Sequence, residues 1–399
     1  MAEPAAVSAI AEAVAAAPLV SFDLEFLAQD RLVPALCLVQ VAWLPAHQRL
    51  DVPAAAIVAT PPEVALIDAL AVDVAPLVAA LAAHGCVVAH AARQDLALLF
   101  HRFGAELGGL VDTQVMAAFA GMGDQVGLAA LANELLGLAL TKDQQWTDWA
   151  KRPLSDAQLA YADADVRHLP AVYAKLAARL GERIAWVRAE SGVVAAEAVA
   201  AAQVTPETAW RQLGGLRGLD ANALAVVIEL AAWRQRVASE LDRPLGHVLP
   251  EKALIDIARQ RPATTEGLRG IKGISPIARQ RVDAVLAAVA AARPDAVGAR
   301  EPARAPSARA QRWTEVLLSI VHVVADGAGI APRLLATRAD AEEFARTVDE
   351  NGLDAAQVLP ALATWRRDVI GQAWAGWLSG TLALVGDPAA ATGLALLPR

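Results

Sequence analysis

The chain has little of what would mark a secreted, disulfide-built or membrane protein. Only two cysteines occur in 399 residues. Cys37 and Cys86 each lie inside an apolar run, CLVQVAW and CVVAH. That suits small buried thiols and argues against a disulfide framework or a zinc site. The first twenty-odd residues hold Glu3 and Glu12 and no basic cluster ahead of an apolar run. Neither a secretory leader nor an Arg-rich transit peptide is therefore expected, and the expected location is the cytoplasm. Long uncharged stretches are nearly missing as well. Val369 to Gly386 carries no charge, but Gln372, Ser379, Thr381 and several glycines interrupt it. The stretch barely reaches spanning length and predicts a buried helical segment with no membrane contact. Positive charge is also in deficit, with a formal net charge of −8. A protein that coats nucleic acid through many phosphate contacts is excluded by that balance, so any such contact must be local.

What is present is apolar material and clustered acid. A hydrophobic content of 56% provides cores for two or three domains. Strand patterns run over 19–26, 36–44, 64–68 and 86–90, and helix-period runs over 74–84, 93–103, 113–119, 128–135 and from Ser155 past Tyr173. The first half is therefore mixed α/β. Beyond about residue 186 strand signals stop, and helix-period sequence punctuated by Pro206, Pro244, Pro250 and Pro262 follows. The stretch RPDAVGAREPARAPSARAQ at 293–311 is rich in Arg, Pro and Ala and predicts an exposed linker.

Three segments carry the chemistry. In SFDLEF, Asp23 and Glu25 stand two apart in an otherwise apolar strand, so the pleat puts both carboxylates on one face. Buried without partners they would cost several kcal/mol, and no basic residue precedes Arg31. A divalent cation would satisfy both; an edge strand with the two acids in water would also. Asp95 follows the strand of VVAHAARQDLALLF in the opening turns of a helix, where the dipole alone would favour a carboxylate. In QLAYADADVRHL, Tyr161 and Asp165 are four apart and share a helix face, while Asp163 points elsewhere. Asp112 is placed to cap the helix that starts at Thr113. His101 and His168 lack a second metal-type partner at ligand spacing.

The ordered series FDLEF, VVAHAARQDLALL, VDTQVMAAFAG and TDWAKRPLSDAQLAYADADVRHL resembles the ribonuclease D branch of the DEDD exonuclease superfamily, over roughly residues 18–180. The resemblance implies an RNase H-like α/β exonuclease domain, a mixed sheet flanked by helices, followed by all-α HRDC-type helical domains. It places the family's metal-binding acids at Asp23, Glu25, Asp95 and Asp165. Tyr161 stands four before the last acid, whereas the histidine of the other subclass would fall at Ala160, so the tyrosine subclass is implied. Leu24 stands where relatives often have threonine, and His90 opens the Asp95 motif. By resemblance the acids hold two Mg²⁺ or Mn²⁺ ions: Asp23 bridges both, Glu25 and Asp165 serve the ion that activates water, and Asp95 serves the other through its water shell. Tyr161 orients the attacking water, since a phenol with pKa near 10 is a poor base.

Residues from about 222 to 292 resemble the HRDC module, through a Trp-Arg helix, a VLP turn and an Arg-Pro-x-Thr turn. The expected division is an exonuclease domain at 1–186, an HRDC domain at 207–293, a linker at 294–311 and a second, divergent HRDC-like module at 312–399. The turn LRGIKGIS opens a helix at Pro276 and is compatible with a phosphate contact near Lys272 or with a tight interhelix turn. Leu24, His90, Lys142, Trp146 and Lys272 are the candidate substrate contacts, with Trp149 and Arg152 ordering the loop beside the cleft. The implied activity is 3′-to-5′ exoribonuclease hydrolysis at single-stranded 3′ ends, tRNA precursors foremost, by a monomer with no membrane and no obligate partner. A DNA exonuclease with the same carboxylates, or a catalytically silent RNA-binding protein, are the competing expectations.

Overall fold

The computed structural model describes residues 4–141, 144, 147–216, 218–294 and 306–399. The first half runs α1 (Pro4–Ala16), β1 (Val20–Leu27), β2 (Ala35–Trp43), α2 (Ala54–Val58), β3 (Glu63–Asp68), α3 (Ala75–Ala83), β4 (Val87–Ala89), α4 (Arg93–Phe103), β5 (Leu110–Asp112), α5 (Thr113–Phe119), α6 (Leu128–Leu136), α7 (Asp156–Arg167), α8 (Leu169–Leu180) and α9 (Ile184–Ala202). The sheet order is β3-β2-β1-β4-β5, with β1–β2 and β2–β3 antiparallel and β1–β4 and β4–β5 parallel. Strand β1 is thus central, and Val20, Phe22 and Leu24 bury one of its faces. Edge exposure of Asp23 and Glu25, the alternative left open by the sequence, does not occur.

The helix expected to run unbroken from Ser155 past Tyr173 is two helices, α7 and α8, meeting at His168. Pro170 is the cause. It has no N–H for the carbonyl four residues back, Val166, and its ring crowds that group. The released Val166 carbonyl accepts a hydrogen bond from Ser21 Oγ on β1 at 2.9 Å. The same hydroxyl reaches Ala42 O on β2 at 3.1 Å, so the break in the helix becomes its anchor to the sheet.

The rest is mainly helical: α10 (Ala221–Leu241), α11 (Leu245–Val248), α12 (Glu251–Gln260), α13 (Thr265–Arg269), α14 (Pro276–Gln280) and α15 (Val282–Ala291), then α16 (Ala308–Ala328), α17 (Pro332–Leu335), α18 (Arg338–Asn351), α19 (Leu353–Gln357) and α20 (Gln372–Ser379). Residues 209–288 close their own apolar core around Val227, Leu230, Leu254 and Ile257. Two expectations need correction, and one packing contact was not foreseen. The expected linker ends early, because Ser307 caps α16 at Ala308 and Arg309 pairs with Asp349 across to α18; residues 295–305 of that stretch lie outside the described ones. The C-terminal segment does not bury its apolar face alone, for Trp365 stacks on Trp186 of α9 at 5.2 Å and meets Phe119 of α5 edge-on. The uncharged stretch at 369–386 is only partly helical: Gly380, at φ 78°, ends α20, and β6 (Leu382–Gly386) pairs antiparallel with β7 (Leu394–Pro398). No described helix is long and apolar enough to cross a membrane.

Candidate active site

Asp23 and Glu25 project from β1 toward α7, which crosses that face of the sheet. A register shift between Glu25 and Phe26 bends the strand immediately beyond the two acids, a bulge that turns Phe26 and Leu27 along the cleft wall. Tyr161 and Asp165 face them from α7. Carboxylate oxygens of Asp23, Glu25 and Asp165 all lie within 4.8 Å of one another. Asp95, third residue of α4, lines the same cavity of about 1000 Å³, set back from that trio. Among the described lining residues none is lysine or arginine.

Burial and mutual repulsion shape the electrostatics of these acids. Desolvation, then repulsion from Asp165 and Asp95, pushes the Glu25 carboxyl up to about 9. Asp95 is pushed up to about 8, by burial and by Asp112 nearby. Asp165 rises to about 6 through burial, partly offset by a hydrogen bond from Tyr161. Asp23 is raised as well, by burial first and then by Asp95, Asp165 and Glu25. The Tyr161 phenol is held far above its ordinary value by the same burial and negative charge, so it keeps its proton and acts as a donor.

Neighbouring turns hold these groups in place. Ala91, between β4 and α4, sits at φ 54°, a conformation costly for a residue with a Cβ. Asp112 stabilises it: its carboxylate accepts from Ala91 N and Ala92 N, each at 3.0 Å, and caps α5 through Gln114 N at 2.8 Å. The capping role was expected from sequence; the two contacts to the strained turn were not, because they join positions twenty residues apart. On the other wall, Ser155 and Gln158 form a capping box that starts α7, and Gln158 Nε2 reaches Thr147 Oγ1 at 3.2 Å. Trp149 packs against Tyr161, ring centroids 6.1 Å apart.

Arg152 fixes this loop, as expected. Its guanidinium clasps Asp68 with two bonds of 2.7 Å and also donates to Trp149 O and Cys37 O. The Asp68 carboxyl is correspondingly held below its ordinary value, first by those hydrogen bonds. Arg152→Met should lower unfolding stability at neutral pH by about 3 kcal/mol, because a nearly buried carboxylate loses its partner. An acid with a lowered folded pKa contributes stability above its unfolded pKa and loses it as pH falls, so the loss should shrink toward acid. Urea titrations at neutral pH and near the Asp68 range check both statements.

Of the candidate substrate contacts, Leu24 and His90 line the cavity, with His90 Nδ1 2.9 Å from Thr113 Oγ1. Lys142 and Trp146 lie outside the described residues. Lys272 is exposed and does not line the cavity; the helix it precedes, α14, is capped by Ser275, whose side chain accepts from Ala278 N. Gln94 and Gln114 also line the cavity and were not foreseen.

Comparison with known proteins follows the same outline. A 3′-5′ exonuclease family model matches residues 2–181, and an HRDC domain model matches 223–289. Ribonuclease D of Acidiphilium cryptum is 37% identical over 377 residues, covering 92% of this chain and 89% of that protein. The chain belongs to the ribonuclease D family. Ribonuclease D of Gluconacetobacter diazotrophicus is 35% identical, with 89% and 86% coverage. Among solved structures, RNase D of Escherichia coli, an exoribonuclease involved in structured RNA processing, superposes with a TM-score of 0.76 at 26% identity, over 94% of this chain and 97% of that one. As a ribonuclease D, the chain is a 3′-5′ exoribonuclease, a hydrolase with an α/β exonuclease domain and an HRDC domain.

Proposed function

We propose that the enzyme removes nucleotides from single-stranded 3′ ends of tRNA precursors and other small structured RNAs, using two divalent cations held by Asp23, Glu25, Asp95 and Asp165. The observation that carries this reading is the convergence of three carboxylates within 4.8 Å in a cavity whose described lining offers no cationic side chain. Four hard oxygen donors suit Mg²⁺ or Mn²⁺. When bound, the pair supplies charge stabilisation at the attacking and leaving oxygens of an in-line phosphoryl displacement.

The residues divide that work by position. Asp23 would serve both ions, Glu25 and Asp165 would complete the site of the ion that activates water, and Asp95, set back on α4, would serve the other. Tyr161, a protonated donor bonded to Asp165, orients the attacking water and does not deprotonate it. Leu24 and His90 contact the terminal nucleotide from the cavity wall. We assign 1–186 to the exonuclease domain, 207–293 to the HRDC domain and the stretch from Ala308 onward to a second, mainly helical module, the chain working as a cytoplasmic monomer.

The test is 5′-labelled single-stranded RNA and matched DNA incubated with Mg²⁺, Mn²⁺ or EDTA. Stepwise shortening from the 3′ end, stopped by EDTA and faster on RNA, is expected. Cleavage in EDTA, or equal rates on DNA, would refute the metal or the RNA part respectively. Tyr161→Phe should lower turnover by about 100-fold or more, the usual scale of a positioned catalytic group, even when the metal is saturating. Single-turnover rates at saturating Mn²⁺ measure it.

A further inference from the structure

Gln40 is the anomaly of the sheet. It lies in β2 directly opposite Asp23 of β1 and beside Leu66 of β3, and it is wholly buried. Among the described residues neither its amide nitrogen nor its amide oxygen has a hydrogen-bond partner. Ser21 and Asp68, buried nearby, are satisfied, Ser21 by two carbonyls and Asp68 by Arg152 and Leu70 N; the Trp149 indole N–H is a further described group of this region without a partner, but it lies on the loop wall and not in the sheet. A buried carboxamide without partners is destabilising, and an apolar side chain of similar size would fit the strand better.

Directly paired residues of an antiparallel ladder point to the same face, with Cβ atoms about 5 Å apart. Gln40 and Asp23 therefore both rise toward α7, Gln40 beneath the helix and Asp23 at the cleft. A carboxamide reaches that far, and its N–H is a donor suited to an anionic carboxylate. No described lysine or arginine lines the cleft to supply one, and Arg152, the nearby guanidinium on this side, is committed to Asp68 and three carbonyls.

We propose that Gln40 is a positioning residue for Asp23: its amide N–H bonds the Asp23 carboxylate when that carboxylate carries a divalent cation, and so fixes the carboxylate's orientation. The proposal rests on the reading of Asp23 as a metal ligand. Outer donors of this kind typically change metal affinity by about 10- to 100-fold. The unsatisfied amide N–H is then a cost carried by the metal-free protein and relieved on binding.

The test uses the full chain with Mn²⁺ alone, by calorimetry and by thermal melting with and without the metal, on wild type, Asp23→Asn, Gln40→Met and Gln40→Leu. Both Gln40 variants are expected to melt at or above wild type without metal and to bind Mn²⁺ about tenfold or more weakly, with a smaller metal-induced rise in midpoint. Unchanged Mn²⁺ affinity in either variant would overturn the proposal and mark the amide as satisfied by buried water. Failure of both variants to fold would overturn it too, since it would make the amide a structural partner in the metal-free state. If wild type and Asp23→Asn bind Mn²⁺ equally, it is the reading of Asp23 that fails, and the two failures are thereby told apart.

Discussion

Asp23→Asn is expected to cut exonuclease turnover by about 10³-fold or more, since it removes several kcal/mol of charge stabilisation and each 1.4 kcal/mol or so is a factor of ten. The same substitution should raise the melting midpoint of the metal-free protein. Asp23 stands amid Glu25, Asp95 and Asp165, all of whose carboxyls are pushed up by burial, and it is one of the charges that raise Tyr161. An uncharged isostere deletes one member of that repulsive group while the strand keeps its shape. Opposite signs for activity and stability separate a functional acid from a structural one, whose loss would lower both. Activity within tenfold of wild type, or a lower metal-free midpoint, would remove Asp23 from the centre of the mechanism.

Much of this site was legible because it violates local pattern. Acids in the apolar strand SFDLEF have no structural reason to be there, and the pleat alone puts Asp23 and Glu25 on one face. Tyr161 and Asp165 follow from helical spacing. Gln40 offered the same kind of signal, a polar residue inside CLVQVAW, but an uncharged amide in a strand looks ordinary until the register sets it opposite Asp23. The split between α7 and α8 was encoded by Pro170, while the capture of the freed Val166 carbonyl by Ser21 depends on a contact 145 residues apart in sequence. The left-handed turn at Ala91 was hidden for a related reason, since nothing in HAAR marks a strained residue and its stabiliser, Asp112, comes from another strand end. The C-terminal hairpin was missed because LALVG and LALLP are too short and apolar to distinguish strand from buried helix.

The pH dependence of the metal-free and metal-loaded protein should run in opposite directions. Glu25, Asp95 and Asp165 have carboxyls pushed up to about 9, 8 and 6, against ordinary values of 4.5, 3.8 and 3.8. An acid whose folded pKa is raised binds its proton more tightly in the folded state. Its contribution to stability is therefore complete below the unfolded pKa and is lost as pH rises through the folded value. In EDTA the melting midpoint should fall between about pH 5 and pH 9. Divalent cations require the ionised carboxylates, so binding expels protons, and each proton displaced raises apparent affinity by about tenfold per pH unit. With more than one acid protonated at the lower end, Mn²⁺ affinity should climb by at least about 100-fold from pH 6 to pH 8, and the metal-induced rise in midpoint should grow with it. Calorimetry in buffers of different ionisation enthalpy counts the protons released. An affinity independent of pH, or a metal-free midpoint that rises toward alkaline pH, would mean that these carboxylates are already ionised and paired by something other than a metal.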